Sequence, residues 1–383
     1  MHLVGALVGV DRLEVAQVPH HVKLAHDAVA AEHRAGGAGG LEGGVEAALL
    51  EQRHRLLVVG AADRIAQAAV VRVAGSGGDR GRPIYEVEHT TLYRYRKPVS
   101  FGEHRMMFLP RTSHDIRVLT CTLDVSPDAE IRWVHDVFSN SVTHVNIAGQ
   151  AAELKFVARV AVEHLGVRNL ELPLAASAEV FPFEYSVSER YDLRNFIEPC
   201  YPDPNGHLRL WADQFLAQGR HRKTRELLID IATGIREQFS YTSRYVEGTQ
   251  SPLQTLELKS GTCRDYALFM MEVVRRLGFA ARFVSGYLYD PALDGGTEGM
   301  IGSGATHAWL QIYLPGAGWL PFDPTNSLFG GDNLIRVAYV RDPAQASPLT
   351  GSYTGHDGDF MGMEVDVKVR KLAVLPTDLQ TRA

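Results

Sequence analysis

The sequence lacks the features that mark membrane proteins, disulfide-rich proteins and nucleic-acid-binding proteins. No apolar run approaches the roughly 18 residues that suggest a transmembrane helix. Cysteine occurs only three times in 383 residues, at widely separated positions, so a disulfide framework is not indicated. The net charge of -6 is opposite in sign to the basic excess that contact with nucleic-acid phosphates requires. These absences favour an ordinary globular protein.

The N-terminus also lacks the pattern of a secretory signal. Its first letters, "MHLVGALVGVDRLEV", contain no Lys or Arg before Asp11, and this acidic residue interrupts the apolar stretch early. We therefore expect a cytoplasmic protein that has no nucleic-acid partner and no membrane partner. The composition leaves the oligomeric state open.

Aromatic residues are missing from the first 82 positions. Tyr85 is the first of them, Thr90 is the first Thr, and Ser76 is the first Ser. Without aromatic side chains this segment would struggle to bury a core of its own. We interpret residues 1–82 as a disordered or helical extension, or as the product of a start codon assigned too early. A small functional domain is the remaining alternative.

The pattern changes at Ile84 to alternating apolar and polar residues, rich in β-branched and aromatic types. Examples are "YEVEHTTLYRYRKPVSFGEHRMMFLPR", "EIRWVHDVFSNSVTHVNI" and "ELKFVARVAVEHL". Pro and Gly separate these runs, and alternation with turn signals is typical of antiparallel strands. The sequence therefore predicts an antiparallel, β-sandwich-like domain over residues 84–170.

A second domain is predicted over residues 200–335. "HLRLWADQFLA" and "RKTRELLIDIATGIREQFSY" have helical apolar spacing, and "ARFVSGYLYD", "HAWLQIYLP" and "GWLPFDPT" are strand-like. Helices followed by strands indicate an α+β fold in which helices pack on an antiparallel sheet. The C-terminal part, residues 336–383, contains the alternating run "GMEVDVKVRKL", which could add a strand to either sheet.

Cys263 lies at the start of an amphipathic helix in "SGTCRDYALFMMEVVRRLGF". Ser260 or Thr262 can cap this helix, and Gly261 allows a tight turn into it. Free backbone N–H groups and the positive helix end favour a thiolate in the first turn and could hold an oxyanion. A buried structural cysteine is an equally good interpretation of this stretch alone. The apolar face recurs at three- and four-residue spacing through Phe269, Met270, Val273, Val274 and Leu277.

A base and an orienting acid follow in "THAWLQIYLPGAGWLPFDPT". A cysteine nucleophile needs both. A hairpin folded about Pro315 would place His307 directly opposite Asp323, because the two are equally far from that residue. Opposed side chains are about 4.5–5.5 Å apart at Cβ, and a slip of one residue would send them to opposite faces. A lone His at a strand start is more often structural, but the combination with Cys263 favours catalysis.

These motifs resemble a known family. "GTCRDYA", "THAWLQIYLPGAGWLPFDPT" and the order Cys, His, Asp resemble the transglutaminase-like superfamily of papain-like thiol enzymes. "YEVEHTTLYRYRKPVSFGEHRMMFLPR" and "WVHDVFSNSVTHV" resemble the N-terminal β region of its bacterial members. The resemblance implies an N-terminal β domain followed by a papain-like transglutaminase core.

The resemblance assigns roles to five residues. It implies that Cys263 is the nucleophile, His307 the base and Asp323 the orienting carboxylate. It also implies a side-chain donor for the oxyanion upstream of the cysteine, for which Tyr241 in "FSYTSRY" is the best-placed candidate; a core aromatic is an equal alternative. Asp265 matches a position that the family usually keeps acidic, and we interpret it as support for the helix start.

The resemblance also implies the reaction. The cysteine attacks an amide carbonyl, and an acyl-enzyme follows. We expect a peptide or protein substrate whose peptide or isopeptide amides are hydrolysed, as by a cysteine peptidase or amidase. The same residues would serve a protein-glutamine transglutaminase, in which a lysine amine accepts the acyl group. A non-catalytic binding or scaffold protein that keeps the fold is the alternative from another class.

Metal binding is the main other use for the 16 histidines. Neither HExxH nor a CxxC pair occurs. "YDPALDGGTEGM" lacks the order of a calcium loop, and we interpret it as a mobile loop near His307. We therefore expect no metal and no cofactor. The histidines of the predicted β domain are scattered along it: His89, His104, His114, His135 and His144.

Overall fold

A computed structural model describes residues 82–373, apart from residues 166–171, 217–220, 244–247, 295–298, 303 and 332. The chain divides into two units, Met1–Arg80 and Gly81–Ala383, and all described residues belong to the second. The predicted N-terminal extension lies outside the described residues except for its last position. The last ten residues of the predicted tail lie outside them too.

The described residues combine helices and antiparallel sheets, which confirms the predicted α+β class. The α-helices are α1 (Val187–Ile197), α2 (His207–Asp213), α3 (Thr224–Gln238), α4 (Pro252–Leu258) and α5 (Cys263–Arg276). The strands of the N-terminal part are β1 (Ile84–Phe101), β2 (His104–Met106), β3 (Ile116–Ser126), β4 (Ala129–His135), β5 (Ser141–Ile147) and β6 (Gln150–His164). The later strands are β7 (Val180–Phe181), β8 (Arg222–Lys223), β9 (Ser240–Tyr241), β10 (Ser260–Gly261), β11 (Ala281–Leu288), β12 (His307–Leu314), β13 (Gly318–Asp323), β14 (Leu328–Phe329), β15 (Leu334–Val340), β16 (Leu349–Thr350), β17 (Tyr353–Thr354) and β18 (Phe360–Leu372).

The β domain consists of two antiparallel sheets, as predicted. One has the order β17-β1-β6-β3, with β18 also paired to β1, and the other has the order β16-β2-β5-β4. Side chains of β1 alternate between buried and partly exposed from Ile84 to Thr91, so one face of the first sheet covers a core. The rings of His104 and Phe156 join the two sheets, with centroids 5.6 Å apart. The alternating run of the C-terminal part is β18, so it adds a strand to the N-terminal sheet by pairing with β1.

The second domain has an antiparallel sheet with the order β14-β13-β12-β11-β15. α5 packs against β11 and β12, and nearly all its side chains are buried. This is the predicted arrangement of helices on a sheet. The boundary predicted at residue 335 falls inside β15, which continues the sheet until Val340 pairs with Phe283.

Buried hydrogen bonds join the β domain to this sheet. The Tyr287 hydroxyl donates to the Phe108 carbonyl at 3.2 Å and lies 3.0 Å from Nδ1 of His89. Burial lowers the pKa of His89 to about 4 against the opposing charge of Asp366, so its ring is neutral at pH 7. These hydrogen bonds give the two domains a polar contact within the core.

Candidate active site

A capping box fixes the start of α5, and it begins at Thr262 rather than Ser260. The N–H of Asp265 donates to the Thr262 hydroxyl at 3.4 Å, and the N–H of Thr262 donates to Oδ2 of Asp265 at 2.9 Å. Cys263 is consequently the first helical residue. The first N–H groups of a helix have no acceptor within it, so those of Cys263 and Arg264 can donate to a group bound at the thiol.

Asp265 supports this turn from inside the protein. Its side chain is fully buried, and Oδ1 accepts the N–H of Gln250 at 2.7 Å. The side-chain amide of Gln250 donates in turn to the Ser260 carbonyl at 2.9 Å. The carboxylate thus ties the chain before the helix to its first turn. Gln250 was not singled out by the sequence, because its role depends on a contact 15 residues away.

Tyr241 lies beside Cys263 because two short strands pair in parallel. β9 and β10 place Tyr241 next to Gly261, two residues before the cysteine. Burial and the neighbouring Cys263 raise the pKa of Tyr241 to about 12, so its hydroxyl keeps its proton at pH 7. The position suits a donor to an oxyanion on the Cys263 side. That role stays a prediction.

His307 and Asp323 form a fully buried pair. Nε2 of His307 lies 2.8 Å from Oδ2 of Asp323. Burial disfavours both charges, but Asp323 and Cys263 outweigh it and raise the pKa of His307. For Asp323, burial alone would raise the pKa. The charge of His307 and the hydrogen bonds from His307, Asn326 and Thr325 outweigh burial and lower the pKa of Asp323. The pair therefore favours an imidazolium beside a carboxylate.

The hairpin register differs from the prediction by two residues. β12 and β13 pair Leu310 with Phe322 and Leu314 with Gly318, so the fold centres on Gly316 and not on Pro315. The turn has Pro315 followed by Gly316 at a φ of 88°, and it closes by a hydrogen bond over four residues, the signature of a type II turn. A shift of two residues keeps the same face. The ring of His307 therefore reaches the carboxylate diagonally, although the predicted direct opposition was wrong.

The second ring nitrogen of His307 is available to the cysteine. Nε2 is taken by Asp323, and Nδ1 is buried with no hydrogen-bond partner of ordinary geometry among the described residues. Cys263 is one of the groups that raise the pKa of the ring. Nδ1 is therefore the atom that can exchange a proton with Sγ.

Asn326 is a further residue of the site that the sequence did not reveal. Its amide donates to Oδ2 of Asp323 at 3.0 Å and to the Ile301 carbonyl at 3.0 Å. Its Oδ1 accepts the N–H of Ile301 at 2.9 Å. One side chain therefore joins the acid of the pair to the segment between β11 and β12.

Gly302 closes the site over the histidine. Its φ is 93°, and a Cβ added there would come within 2.7 Å of Nδ1 of His307. A glycine is needed for both reasons. The predicted loop "YDPALDGGTEGM" ends at residue 300, directly before this contact, and its residues 295–298 lie outside the described part. Cys263 is 6% exposed and His307 is 1% exposed, so the site is nearly closed.

Arg264 brings a positive charge next to the cysteine. Its guanidinium lies 5.0 Å from the centroid of the Phe283 ring and donates to the Pro343 carbonyl at 2.9 Å. Burial lowers the pKa of Arg264, while Cys263 and Asp265 oppose that effect. Arginine remains charged in proteins at neutral pH, so a fixed positive charge lies beside the thiol.

The other two cysteines lie outside this site. Cys121 is on β3, and burial raises the pKa of its thiol to about 11. Cys200 accepts hydrogen bonds from Arg275 at 3.2 Å and from Arg341 at 2.9 Å.

Two family models match this chain. Residues 211–324, which include Cys263, His307 and Asp323, match the transglutaminase-like superfamily. These residues are a transglutaminase-like core. Residues 85–163 match the bacterial transglutaminase-like N-terminal region. The predicted family resemblance is confirmed for both domains.

Several curated relatives are similar to this chain over different shares of its length. An uncharacterized protein of Mycobacterium leprae is 25% identical over 288 residues, which cover 75% of this chain and 98% of the relative. One of Mycobacterium tuberculosis is 28% identical over 299 residues, covering 74% of this chain and 92% of the relative. A protein-glutamine gamma-glutamyltransferase of Pseudomonas aeruginosa is 29% identical over 147 residues, covering 37% of this chain and 21% of the relative.

A solved structure shares the fold of the transglutaminase-like core and its N-terminal region. It is that of a candidate cysteine protease from Cytophaga hutchinsonii, with a TM-score of 0.56 at 18% identity. The match covers 78% of this chain and 93% of that one. Within the described residues, no helix is both long enough and apolar enough to cross a membrane. The cytoplasmic location stays a prediction.

Proposed function

We propose that this protein is a thiol acyl-transfer enzyme that acts on peptide or isopeptide amides. Cys263 is the nucleophile, His307 the general base and acid, and Asp323 the group that orients the imidazole. The observation that carries the proposal is the buried 2.8 Å contact between Nε2 of His307 and Asp323, beside a cysteine in the first turn of α5. A cysteine buried only for packing would need neither partner.

The reaction follows from these positions. The raised pKa of His307, in which Asp323 and Cys263 outweigh burial, favours transfer of the thiol proton to Nδ1. Sγ then attacks the carbonyl carbon, and the oxyanion accepts hydrogen bonds from N–H groups of the first turn and from the Tyr241 hydroxyl. The imidazolium gives its proton to the leaving nitrogen as the C–N bond breaks. A thioester on Cys263 remains.

We propose water as the acceptor of the acyl group. Water attacks the thioester carbonyl and passes a proton to Nδ1 of His307, and the thiol leaves with that proton as the acid product is released. Cys263 is only 6% exposed and Gly302 lies against Nδ1 of His307, so a small acceptor reaches the thioester more easily than a protein-bound lysine. The protein would then be a cysteine peptidase or amidase.

Transglutamination is the second candidate. A stretch of 147 residues is 29% identical to a protein-glutamine gamma-glutamyltransferase, which favours a lysine amine as the acceptor. The first half-reaction is unchanged. Only the group that attacks the thioester differs, and an amide cross-link replaces the acid product.

A peptide library separates these outcomes. The full-length protein is incubated with peptides that contain glutamine and lysine, with and without an added primary amine, and the products are read by mass. We expect cleaved or deamidated peptides without amine adducts. Amine adducts as the main product would favour the transglutaminase. The matched control is Cys263→Ala, and turnover that persists in this variant would overturn the enzyme assignment for Cys263.

A further inference from the structure

β18 forms an open edge of the larger sheet in the β domain. It pairs with β1 in regular antiparallel register from Gly362 to Leu372. In the part of the chain that the structure describes, no strand lies along its other side. A long edge strand presents unpaired backbone groups, and it is a ready template for another strand.

The inner face of β18 carries more apolar surface than the sandwich covers. Val367 and Val369 are buried in the core. Further along the same face, Val365 is 44% and Met363 is 52% exposed. An apolar strip beside an open edge is typical of a contact with another chain.

The charged residues on the outer face of β18 are ordered so that two antiparallel copies of the strand bring opposite charges together. Glu364 and Asp366 precede Val367, and Lys368 and Arg370 follow it. When two antiparallel copies pair with Val367 opposite Val367, Asp366 faces Lys368 of the second copy. Glu364 then faces Arg370 of the second copy, and each contact occurs twice by symmetry.

The inner face suits the same register. Val365 lies opposite Val369 of the second copy, because directly opposed residues of antiparallel strands share a face.

Ion pairs within each chain already hold the charged side chains of the outer face. They join Glu364 to Arg94, Asp366 to Lys368 at 2.8 Å, and Arg370 to Glu86 at 2.7 Å.

We propose that β18 joins two copies of this chain into a symmetric dimer by continuing the larger sheet from one copy into the other. The occupant of the edge is the β18 strand of a second copy. Backbone hydrogen bonds give the contact its strength, and the four cross-strand charge pairs set its register. The inference does not depend on the proposed chemistry.

Two single charge reversals test the proposal. Asp366→Lys and Lys368→Asp each turn two attractive contacts into repulsive ones, and the size of the full-length protein is measured by sedimentation velocity over a wide concentration range. We expect the parent to dimerise and each variant to self-associate at least about tenfold more weakly. An equal mixture of the two variants should dimerise again, because lysines at both positions of one copy then face aspartates of the other.

The mixture separates the proposal from a general loss of stability, since a misfolded variant would not be rescued by its partner. A parent that stays monomeric at every concentration would overturn the proposal. So would single variants that dimerise like the parent, or a mixture that stays monomeric. The same measurement is made on a variant that lacks residues 374–383. A dimer that forms only in this variant would overturn the proposal, because it would mean that the tail occupies the edge in the full-length protein.

Discussion

Nε2 of His307 and Oδ2 of Asp323 lie 2.8 Å apart, and neither side chain is exposed to solvent. The carboxylate is also held by the backbone N–H of Thr325 at 2.9 Å and by the amide of Asn326 at 3.0 Å. Because these two donors hold the carboxylate in place, Asp323 fixes the direction of the imidazole and keeps Nε2 protonated.

Asp323→Asn removes the negative charge with little change in shape. The asparagine cannot stabilise the imidazolium, so we expect kcat to fall by about 10²–10⁴-fold. The measurement is the rate of peptide turnover, with thermal unfolding as the control for folding. Turnover at the parental rate would mean that Asp323 does not orient the base.

The same pair predicts a pH window for stability. Although burial opposes both charges, folding raises the pKa of His307 and lowers the pKa of Asp323. The contribution of Asp323 is complete above its unfolded pKa of about 3.9 and is lost as pH falls through its folded pKa. That of His307 is complete below about 6.5 and is lost as pH rises through its folded pKa. The pair therefore stabilises most between about pH 4 and 6.5.

His307→Gln tests this window. The variant leaves Asp323 buried without its cation, and we expect a loss of about 3–5 kcal/mol in the free energy of unfolding near pH 5.5. Above about pH 6.5 the parent loses its own stabilisation, so the difference should shrink as pH rises. Urea denaturation at several pH values measures it. A difference that stays constant with pH would contradict an ion pair between these residues.

Tyr241→Phe removes one hydroxyl and keeps the ring. If this hydroxyl donates to the oxyanion, kcat should fall by about 10²–10³-fold while KM changes little. Tyr266→Phe is the matched control, because its ring lies edge-on to that of Tyr241 with centroids 6.3 Å apart, on the same helix as Cys263. Similar rates for the two variants would assign Tyr241 to core packing.

Gly302→Ala tests the closure of the site. The new Cβ meets Nδ1 of His307, so the ring or the segment must move, and we expect roughly a 10²-fold loss of kcat/KM from the misplaced base. Gly304→Ala is the control, because Gly304 has a φ of 82° but no described atom within 4 Å of an added Cβ. Equal losses in both variants would point to backbone strain alone.

The sequence predicted which residues of the candidate site lie together better than it predicted the register that brings them together. Alternation identified β1, and apolar spacing placed Cys263 at a helix start, because both signals are local. The prediction that His307 and Asp323 share one face of the hairpin was right. Their exact register was wrong by two residues, because it depends on the class of turn formed at Gly316. The equal distance of His307 and Asp323 from Pro315 in the sequence does not reveal which class of turn forms.

Contacts that join distant segments were not predictable in the same way. Asn326 joins the site through the hydrogen bonds of its side-chain amide, and Gly302 joins it by lying close to the His307 ring. Neither contact leaves a periodic pattern in the sequence. The strand pattern of β18 was visible, but the sheet it joins was not. Its pairing with β1 joins residues as far apart in the sequence as Ile84 and Leu372, so only the folded chain decides it.

Acylation of Cys263 can be observed directly by quenching the protein in acid during peptide turnover and measuring its intact mass. We expect a thioester adduct whose mass equals the acyl part of the substrate, located on the peptide that contains Cys263 and absent from Cys263→Ala. Peptide turnover with an adduct on Cys121 or Cys200, or turnover by Cys263→Ala itself, would contradict the assignment of Cys263 as the nucleophile.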